Sequence, residues 1–282
     1  MRDDLEEPKT AVTALHFYAN ADKPRAAQAR EHLAETAQHL GLGVTAADAA
    51  DVIVALGGDG TILRAVREFP GCPVLGLNLG GLGYLASVEE RDFDVALGML
   101  ASGRYRIARR TALAARRRGT EETFTALNDV VLVREMCGHA ARLDLSADGK
   151  AALQYLADGL IVATPTGSTA YSLSAGGPVL MPDSRSFAVT PMNPHALGVR
   201  AMVVSDETRL VITACARTGG RDADKIGVYA DGESVAMLGV GEALEIMRAP
   251  QDVALVELEG YDPYEVLSHK LGWTKIRSDG NA

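Results

Sequence analysis

The sequence predicts an α/β domain with a parallel sheet, followed by an all-β domain. Between Thr10 and Gly103, strand-like apolar runs alternate with segments of helical periodicity, the pattern of βαβ units. From Arg104 to about Glu259, short apolar runs are separated by turns, which favours a sandwich or a distorted barrel. A chain of 282 residues accommodates two ordinary domains. We therefore place the α/β domain at residues 1–103 and the β domain at residues 104–260, with residues 261–282 returning to the first.

The elements of the α/β domain can be assigned in order. The first strand is expected over Thr10–Tyr18, and a helix follows with Asp22 as its cap, Pro24 in its first turn and Gly41 at its end. The unbroken apolar run Val52–Leu56 is typical of a strand buried on both faces of a parallel sheet. The later elements are a helix over Ile62–Phe69, a strand over Pro73–Leu77, and a helix marked by Phe93, Leu97 and Leu100.

The second half supplies strands and one last helix. Ala141–Ser146 and Ala151–Leu156 flank Asp148-Gly149, a strong hairpin signal. Tyr261–Gly272 is helical and is expected to pack back on the first domain. Further strands are predicted over Met202–Ser205, Arg209–Cys215, Lys225–Ala230 and Asp252–Leu258.

Arg104–Arg118 holds seven arginines. Their spacing follows no single face, so a solvated face or a subunit contact is favoured over a phosphate clamp.

The composition and the net charge argue against several classes of protein. A net charge of −9 argues against a nucleic-acid binder. The apolar runs are too short to span a bilayer, and the acidic N-terminus predicts neither a signal nor a transit peptide. Cys72, Cys137 and Cys215 are odd in number and far apart, without metal-ligand spacing, so a reducing cytoplasm is expected.

The chain is organised around Asp51–Thr61, in which the strand Val52–Leu56 runs into the turn Gly57–Thr61. Ligands of open α/β sheets bind at the carboxyl ends of the strands, and glycines there let backbone N–H groups approach a phosphate. Asp59 is unusual in such a turn, because a carboxylate repels phosphate. It suits a proton acceptor for an attacking hydroxyl, or a group facing a metal ion. The alternative is a plain glycine-rich turn with Asp59 as a helix N-cap.

Two further stretches carry polar groups. In Asp158–Pro178, a strand runs into a series of hydroxyl side chains that suits a polyhydroxyl or phosphate-bearing ligand, and Tyr171 offers a ring for stacking on a base. The alternative is a polar loop whose hydroxyls bond to nearby backbone. Asn128-Asp129 stands at the head of a strand, where either side chain could bind ribose, although the dipeptide is also ordinary turn chemistry.

Together, and in this order, these stretches resemble the NAD kinase family. Its GGDGT signature is similar to Gly57–Thr61, its Asn-Glu segment to Asn128-Asp129, and its TPTGSTAYSLSAGGP segment to the end of Asp158–Pro178. Pro194–Leu197 and Lys270–Trp273 resemble two further family segments, so the match covers most of the chain. Asp129 departs from the family pattern, because it replaces the usual Glu and is one methylene shorter.

The resemblance implies a fold, an activity and partners. The fold would be an N-terminal Rossmann-like domain and a C-terminal β domain, with NAD in the cleft between them and the C-terminal helix packed on the first domain. The activity would be transfer of the γ-phosphoryl group of ATP to the 2′-hydroxyl of the adenosine ribose of NAD, giving NADP, with a divalent ion such as Mg²⁺. The protein would be a cytoplasmic homodimer or homotetramer.

The resemblance also implies roles for single residues. Asp59 would accept the proton, Tyr84 would lie near the adenine, and Asn128 and Asp129 would hold ribose hydroxyls and orient the nicotinamide end. The phosphate-binding residues would be Gly57, Gly58, Gly60 and Thr61. The NAD-binding residues would be Asp59, Gly60, Tyr84, Asn128, Asp129, His139, Asp158, Thr169, Ala170, Tyr171, Ser172, Leu173, Ser174, Asn193 and Glu233.

Two alternatives remain open. A lipid kinase would share the GGDGT turn, but we find no membrane-facing amphipathic stretch. A non-catalytic NAD-binding sensor would not need the carboxylate of Asp59 beside a phosphate, so its presence favours an enzyme.

Overall fold

The structure is a computed structural model, and it describes residues 11–19, 24–80, 83–86, 88–135, 140–216 and 225–272. It divides into two compact units. The α/β unit holds the described residues up to Arg109 together with those from Val253 onward, and the β unit is Arg110–Asp252. Asp22, Cys137, His139 and Trp273, which the sequence analysis singled out, lie outside the described residues.

The α/β unit contains the following elements. They begin with β1 (Ala14–Ala19), α1 (Pro24–His39), β2 (Gly43–Val44), β3 (Val52–Leu56), α2 (Asp59–Glu68), β4 (Val74–Asn78), β5 (Val88–Glu89), α3 (Phe93–Ala101) and β6 (Tyr105–Arg110). The β unit follows with β7 (Leu113–Arg117), β8 (Thr123–Ala126), β9 (Asp129–Arg134), β10 (Ala141–Ala147), β11 (Lys150–Ala157), β12 (Gly159–Ala163), α4 (Tyr171–Ser174), β13 (Ser186–Met192), β14 (Met202–Ser205), β15 (Leu210–Cys215), β16 (Ile226–Ala230), β17 (Glu233–Leu238) and β18 (Ala243–Arg248). The chain returns to the α/β unit with β19 (Val253–Leu258) and α5 (Pro263–Leu271).

The sheet of the α/β unit has the order β2-β1-β3-β4-β19-β6, with β5 beside β4. β3 pairs in parallel with β1 and β4, and β19 pairs in parallel with β4. β3 is buried along its whole length because both faces are covered. Val52, Val54 and Leu56 pack with residues of α1 and α3, whereas Ile53 and Ala55 pack with α2. This confirms the predicted parallel sheet and the prediction that β3 is buried on both faces.

The boundary between the units differs from the predicted one. β6 and β19 were assigned to the β domain by their place in the sequence, but both belong to the parallel sheet. The division therefore falls after Arg109 and after Asp252, instead of after residues 103 and 260. Short apolar runs look alike whichever sheet they join, so sequence alone did not assign them.

The β unit is a sandwich of antiparallel sheets. In the described residues, one sheet has the order β11-β10-β15-β18-β7-β8 and the other β14-β13-β12-β9-β16-β17. Their inner faces share one apolar core that includes Leu143, Ile212, Leu132 and Val162. The hairpin at Asp148-Gly149 is confirmed, with φ of 50° and 76° at the two turn residues, as its tight turn requires.

Several arginines of Arg104–Arg118 pair with carboxylates on neighbouring strands. Arg116 lies opposite Glu245 in the β7–β18 register, and its Nη2 is 2.7 Å from Oε2 of Glu245. On the neighbouring strands β6 and β19, Nη2 of Arg106 lies 2.6 Å from Oε2 of Glu257. Glu245 and Glu257 are almost fully buried, and a buried carboxylate needs such a partner. These arginines therefore neutralise carboxylates of the sheets.

The C-terminal helix belongs to the α/β unit, as predicted. Asp262 caps α5 by accepting a hydrogen bond from the N–H of Tyr264 at 2.8 Å, and Gly272 ends it in the left-handed conformation. Lys270 Nζ lies 5.5 Å from the centroid of the Tyr84 ring, a cation–π distance. In the described part of the chain, no helix combines the length and the apolar character needed to cross a membrane.

Candidate active site

The glycine turn joins β3 to α2, as its place in the sequence predicts. A Cβ on Gly57 would lie 2.2 Å from Oγ1 of Thr61, so only glycine lets Thr61 fold back over this position. Gly58 is the extended N-cap of α2. Gly58 and Gly60 are exposed, and a Cβ on either would meet nothing within 4 Å. The first N–H groups of a helix have no intrahelical acceptor, so this turn can donate to an anion.

Asp59 lies in the first turn of α2 and is not its N-cap. The N-cap interpretation is therefore wrong, because the side chain bonds to a different segment. Its Oδ2 accepts a hydrogen bond from the N–H of Tyr84 at 3.0 Å, and its Oδ1 accepts from Leu85 at 3.1 Å and Ala86 at 3.0 Å. A Cβ on Gly83 would lie 2.1 Å from Oδ1. The carboxylate thus anchors the segment 83–86 against the glycine turn.

Tyr84 is held beside this turn by its backbone bond to Asp59. Burial, followed by the negative charge of Asp59, raises the pKa of the Tyr84 phenol. The phenol therefore stays neutral, and the Nζ of Lys270 lies 5.5 Å from the centroid of its ring. Tyr84 was predicted from the sequence, whereas its neighbour Lys270 was not.

The β unit carries the second group of candidate residues, at the start of β9. Asn128 is half-exposed, whereas Asp129 is 5% exposed. Burial, and then the nearby charge of Asp231, raises the pKa of Asp129 to about 7. Asp231 was not among the predicted site residues. The Asp231-Gly232 dipeptide between two strands is nevertheless a hairpin signal of the same kind as Asp148-Gly149. Glu233 follows this turn and is exposed.

The hydroxyl-rich segment lies after β12 and packs on Asn128. Thr164 donates its backbone N–H to the carbonyl of Asn128 at 2.9 Å, and its hydroxyl donates to Leu127 O at 2.6 Å. A Cβ on Gly167 would lie 1.9 Å from Asn128 O, so this contact requires glycine. The segment therefore fixes the position of Asn128 through its backbone.

Most of the hydroxyls of this segment bond within the protein. Ser168 donates to Pro165 O at 2.7 Å and accepts from the N–H of Leu180 at 2.9 Å. The hydroxyls of Ser172 and Thr190 are 2.9 Å apart, and Thr169 donates to Thr166 O at 3.2 Å. The local-bonding alternative thus describes Ser168 and Thr169, whereas the hydroxyl of Ser172 pairs with a side chain 18 residues away. Of the predicted NAD-binding residues here, Tyr171 and Ser174 are exposed, and Thr169, Ala170 and Leu173 are half-exposed.

Asp158 lies at the other end of β12 from this segment. Its Oδ1 is 2.7 Å from Arg134 Nη2, and its Oδ2 accepts from Asn193 Nδ2 at 3.0 Å. Asp158 and Asn193, both predicted, are therefore together. β12 pairs Gly159 with Val133 and Ala163 with Asp129, so a strand of five residues separates Asp158 from Asn128. The six residue steps from Asp158 to the level of Asn128, at roughly 3.3 Å each, make this on the order of 20 Å.

The fold and these two groups define a nucleotide-binding class of protein: a glycine turn at the carboxyl end of a buried parallel strand, and a β unit with a hydroxyl-rich turn. The profile of the ATP-NAD kinase N-terminal domain matches residues 8–105, and that of the ATP-NAD kinase C-terminal domain matches residues 127–258. The chain therefore belongs to the NAD kinase family, which confirms the resemblance seen in its motifs.

Individual relatives agree with the profiles. The chain is 41% identical over 229 residues to an NAD kinase of Symbiobacterium thermophilum, covering 79% of each chain. It is 36% identical over 283 residues to an NAD kinase of Moorella thermoacetica, covering 98% of this chain and 89% of the relative.

Two solved structures share the fold. Yeast NADH kinase, complexed with NADH, matches with a TM-score of 0.83 at 23% identity, over 94% of this chain and 89% of that one. An NAD kinase from Archaeoglobus fulgidus, in complex with ATP, matches with a TM-score of 0.75 at 24% identity, over 93% and 99% of the two chains. At these identities the likeness concerns the fold.

Proposed function

We propose that this chain transfers the γ-phosphoryl group of ATP to the 2′-hydroxyl of the adenosine ribose of NAD, forming NADP and ADP. The observation that carries the proposal is the turn Gly57–Thr61, which places open glycine backbone and a carboxylate together at the carboxyl end of β3. Phosphoryl transfer depends mostly on positioning and on charge neutralisation, and the turn can supply both.

The proposed chemistry assigns Asp59 the proton. The 2′-oxygen forms a bond to the γ-phosphorus while the bond from that phosphorus to the β-bridging oxygen breaks, and ADP leaves. The proton of the hydroxyl passes to the Asp59 carboxylate. Within the described residues, Oδ2 of Asp59 accepts one backbone hydrogen bond, and a carboxylate oxygen can accept a second. This oxygen can therefore take a hydroxyl proton while the carboxylate still holds the segment 83–86.

A divalent ion, Mg²⁺, fits this proposal. Mg²⁺ in nucleotide kinases is held by phosphates, waters and one or two carboxylates rather than by a protein cage. The part of the chain that the structure describes has no cluster of three or more His, Cys, Asp or Glu side chains able to hold a metal. An ion that arrives with the phosphates needs none, and Asp59 is the carboxylate of the glycine turn. When bound, the ion would neutralise charge on the phosphates.

For NAD, we propose contacts from the β unit. The half-exposed Asn128 and the exposed Tyr171, Ser174 and Glu233 can reach a ligand directly. Asp129 and Ser172 are buried and would act from behind this surface. Asp158 and Asn193 form a separate polar group with Arg134. His139 stays a prediction outside the described residues.

The test is NADP formation by purified protein with ATP, Mg²⁺ and NAD, comparing the wild type with Asp59→Asn and Asp51→Asn. Asp51 is the matched control, because its Oδ2 also accepts backbone hydrogen bonds, from the N–H of Thr13 at 2.8 Å and of Ala14 at 2.9 Å. Unlike Asp59, Asp51 lies before β3, at the opposite end of the strand from the glycine turn. A general base contributes about 10²–10⁴-fold, so kcat of Asp59→Asn should fall by that factor while Asp51→Asn stays active.

The assay is run at saturating substrates, because an Asn amide cannot accept every backbone bond that Asp59 accepts, and a looser segment 83–86 would raise KM. A folded Asp59→Asn variant with more than about a tenth of wild-type turnover contradicts the proton-acceptor role. NAD binding by the wild type without NADP formation would indicate a sensor, and transfer to a lipid instead of NAD would indicate a lipid kinase.

We also propose that the protein is a cytoplasmic homo-oligomer whose contacts come from the β unit. In support, Cys72 and Cys215 are free thiols, the state of cysteines that is usual in a reducing compartment. Strands β11 and β14 lie at sheet edges and expose the apolar side chains of Leu153, Leu156 and Val203. Light scattering should give a dimer or tetramer mass, and a monomer mass across dilute and concentrated samples would refute the proposal.

A further inference from the structure

Asp231 occupies the turn between β16 and β17, outside the residues assigned so far. Asp231 and Gly232 have φ of 49° and 82°, so the turn is a tight hairpin of the same kind as Asp148-Gly149. Aspartate is one of the few residues that adopt this conformation readily.

The side chain of Asp231 binds the backbone at the start of β9. Its Oδ2 accepts from the N–H of Leu127 at 2.8 Å, and its Oδ1 accepts from Asn128 at 2.7 Å and from Asp129 at 3.2 Å. Its own N–H donates to the carbonyl of Asp129 at 3.0 Å. Hydrogen bonds to a carboxylate are the stronger kind. The backbone of Asn128 is thus held on one side by Asp231, while its carbonyl accepts from Thr164.

We propose that Asp231 is a positioning residue for NAD binding: its carboxylate fixes the backbone of residues 127–129 and keeps a negative charge beside the Asp129 carboxyl. This inference rests on the proposed function, since it assumes that Asn128 and Asp129 serve the NAD site. Asp231 acts through these two residues and needs no contact with the ligand.

The charge of Asp231 has a measurable consequence at Asp129. β12 places Ala163 opposite Asp129, and the β16–β17 turn places Asp231 beside it. Burial and then this charge raise the pKa of Asp129 to about 7. Removing the charge while keeping the burial should therefore move the titration of Asp129 to lower pH.

The experiment compares Asp231→Asn with the matched control Asp148→Asn. In the control hairpin, Asp148 Oδ1 accepts from the N–H of Arg209 at 2.9 Å, and the N–H of Asp148 donates to Arg209 O at 2.9 Å. Asn tolerates the turn conformation at both sites, so both variants should fold. If Asp231→Asn prevents folding, the pair Asp231→Gly and Asp148→Gly replaces the Asn variants in the comparison, because glycine adopts these φ values without strain.

The readouts are the Kd for NAD by calorimetry and the titration of Asp129 by ¹³C NMR of its carboxyl carbon. Asp231→Asn should weaken NAD binding by about tenfold or more, because a charge-assisted acceptor and the register of Asn128 are lost. It should also lower the titration midpoint of Asp129. Asp148→Asn should leave the Kd for NAD within about twofold of the wild-type value and the titration midpoint of Asp129 unchanged.

A folded Asp231→Asn protein with wild-type NAD affinity overturns the inference, even if its melting temperature falls, because Asp231 would then be purely structural. NADP formation is measured on the same preparations. A wild type that binds NAD without forming NADP, with weaker binding in Asp231→Asn, refutes the transfer reaction and supports the inference. A wild type that does not bind NAD overturns both.

Discussion

Asp129→Asn tests the electrostatics of the site through protein stability. The Asp129 carboxyl is buried, and its pKa is raised from an ordinary value of 3.8 to about 7. In the unfolded chain this carboxyl loses its proton near pH 4, whereas in the folded protein it keeps the proton until about pH 7. Folding therefore becomes less favourable as the pH rises from about 4, and the full cost is present above about pH 7. Asparagine has a similar shape and no proton to lose, so the variant escapes this cost.

The magnitude follows from the two pKa values. Each pH unit between them is worth about 1.4 kcal/mol, so the full cost is on the order of 4 kcal/mol above pH 7. At pH 5 the ionisation of Asp129 in the unfolded chain destabilises the wild type by only part of this amount. The destabilisation at pH 8 therefore exceeds that at pH 5 by about 2–3 kcal/mol. The free energy of unfolding of Asp129→Asn relative to the wild type should therefore rise by about that amount when the pH is raised from 5 to 8.

The assay is urea unfolding of the wild type, Asp129→Asn and the control Asp148→Asn at both pH values. Other titrating groups are common to all three proteins and cancel in the differences. A stability difference for Asp129→Asn that is the same at pH 5 and pH 8 would refute the reasoning, because it would mean that Asp129 does not titrate in this interval.

The remaining predictions concern substrate binding. Asp158→Ala should raise KM for NAD by about 10- to 100-fold with little change in kcat, because a lost charge-assisted hydrogen bond from Asp158 to NAD would cost about 1.5–3 kcal/mol. Arg134 and Asn193 hold the Asp158 carboxylate in place for such a bond, and steady-state kinetics measures both constants. Gly167→Ala should lower the free energy of unfolding by about 1–3 kcal/mol and raise KM for NAD, because its Cβ would lie 1.9 Å from Asn128 O; urea unfolding and the same kinetics check this.

Each of these variants has its own check. If a folded Asp158→Ala protein had an unchanged KM for NAD, Asp158 would not be part of the NAD site. Gly198→Ala is the control for Gly167→Ala, because a Cβ on Gly198 would meet nothing within 4 Å. If the two alanine variants changed the free energy of unfolding and KM for NAD equally, the effect of Gly167→Ala would not come from the contact with Asn128.

The sequence by itself determined the parts of this protein that depend on neighbouring residues. The apolar run Val52–Leu56 and the glycines after it specify a buried strand and a turn, and both are found there. Asp148-Gly149 specifies a hairpin because few residues adopt positive φ. The family, too, was recognisable from short motifs. Such features are local, because propensity, periodicity and turn geometry act over a few residues.

Only the tertiary structure decided which distant residues meet. Asp59 bonds to a segment about 25 residues away and is no N-cap. Asp231 holds residues about a hundred positions earlier. β19 joins the parallel sheet beside β4, and the register of β12 sets Asp158 apart from Asn128. These outcomes depend on strand pairing and on the packing of whole sheets, whose partners are far apart in the chain, and no local pattern encodes that choice.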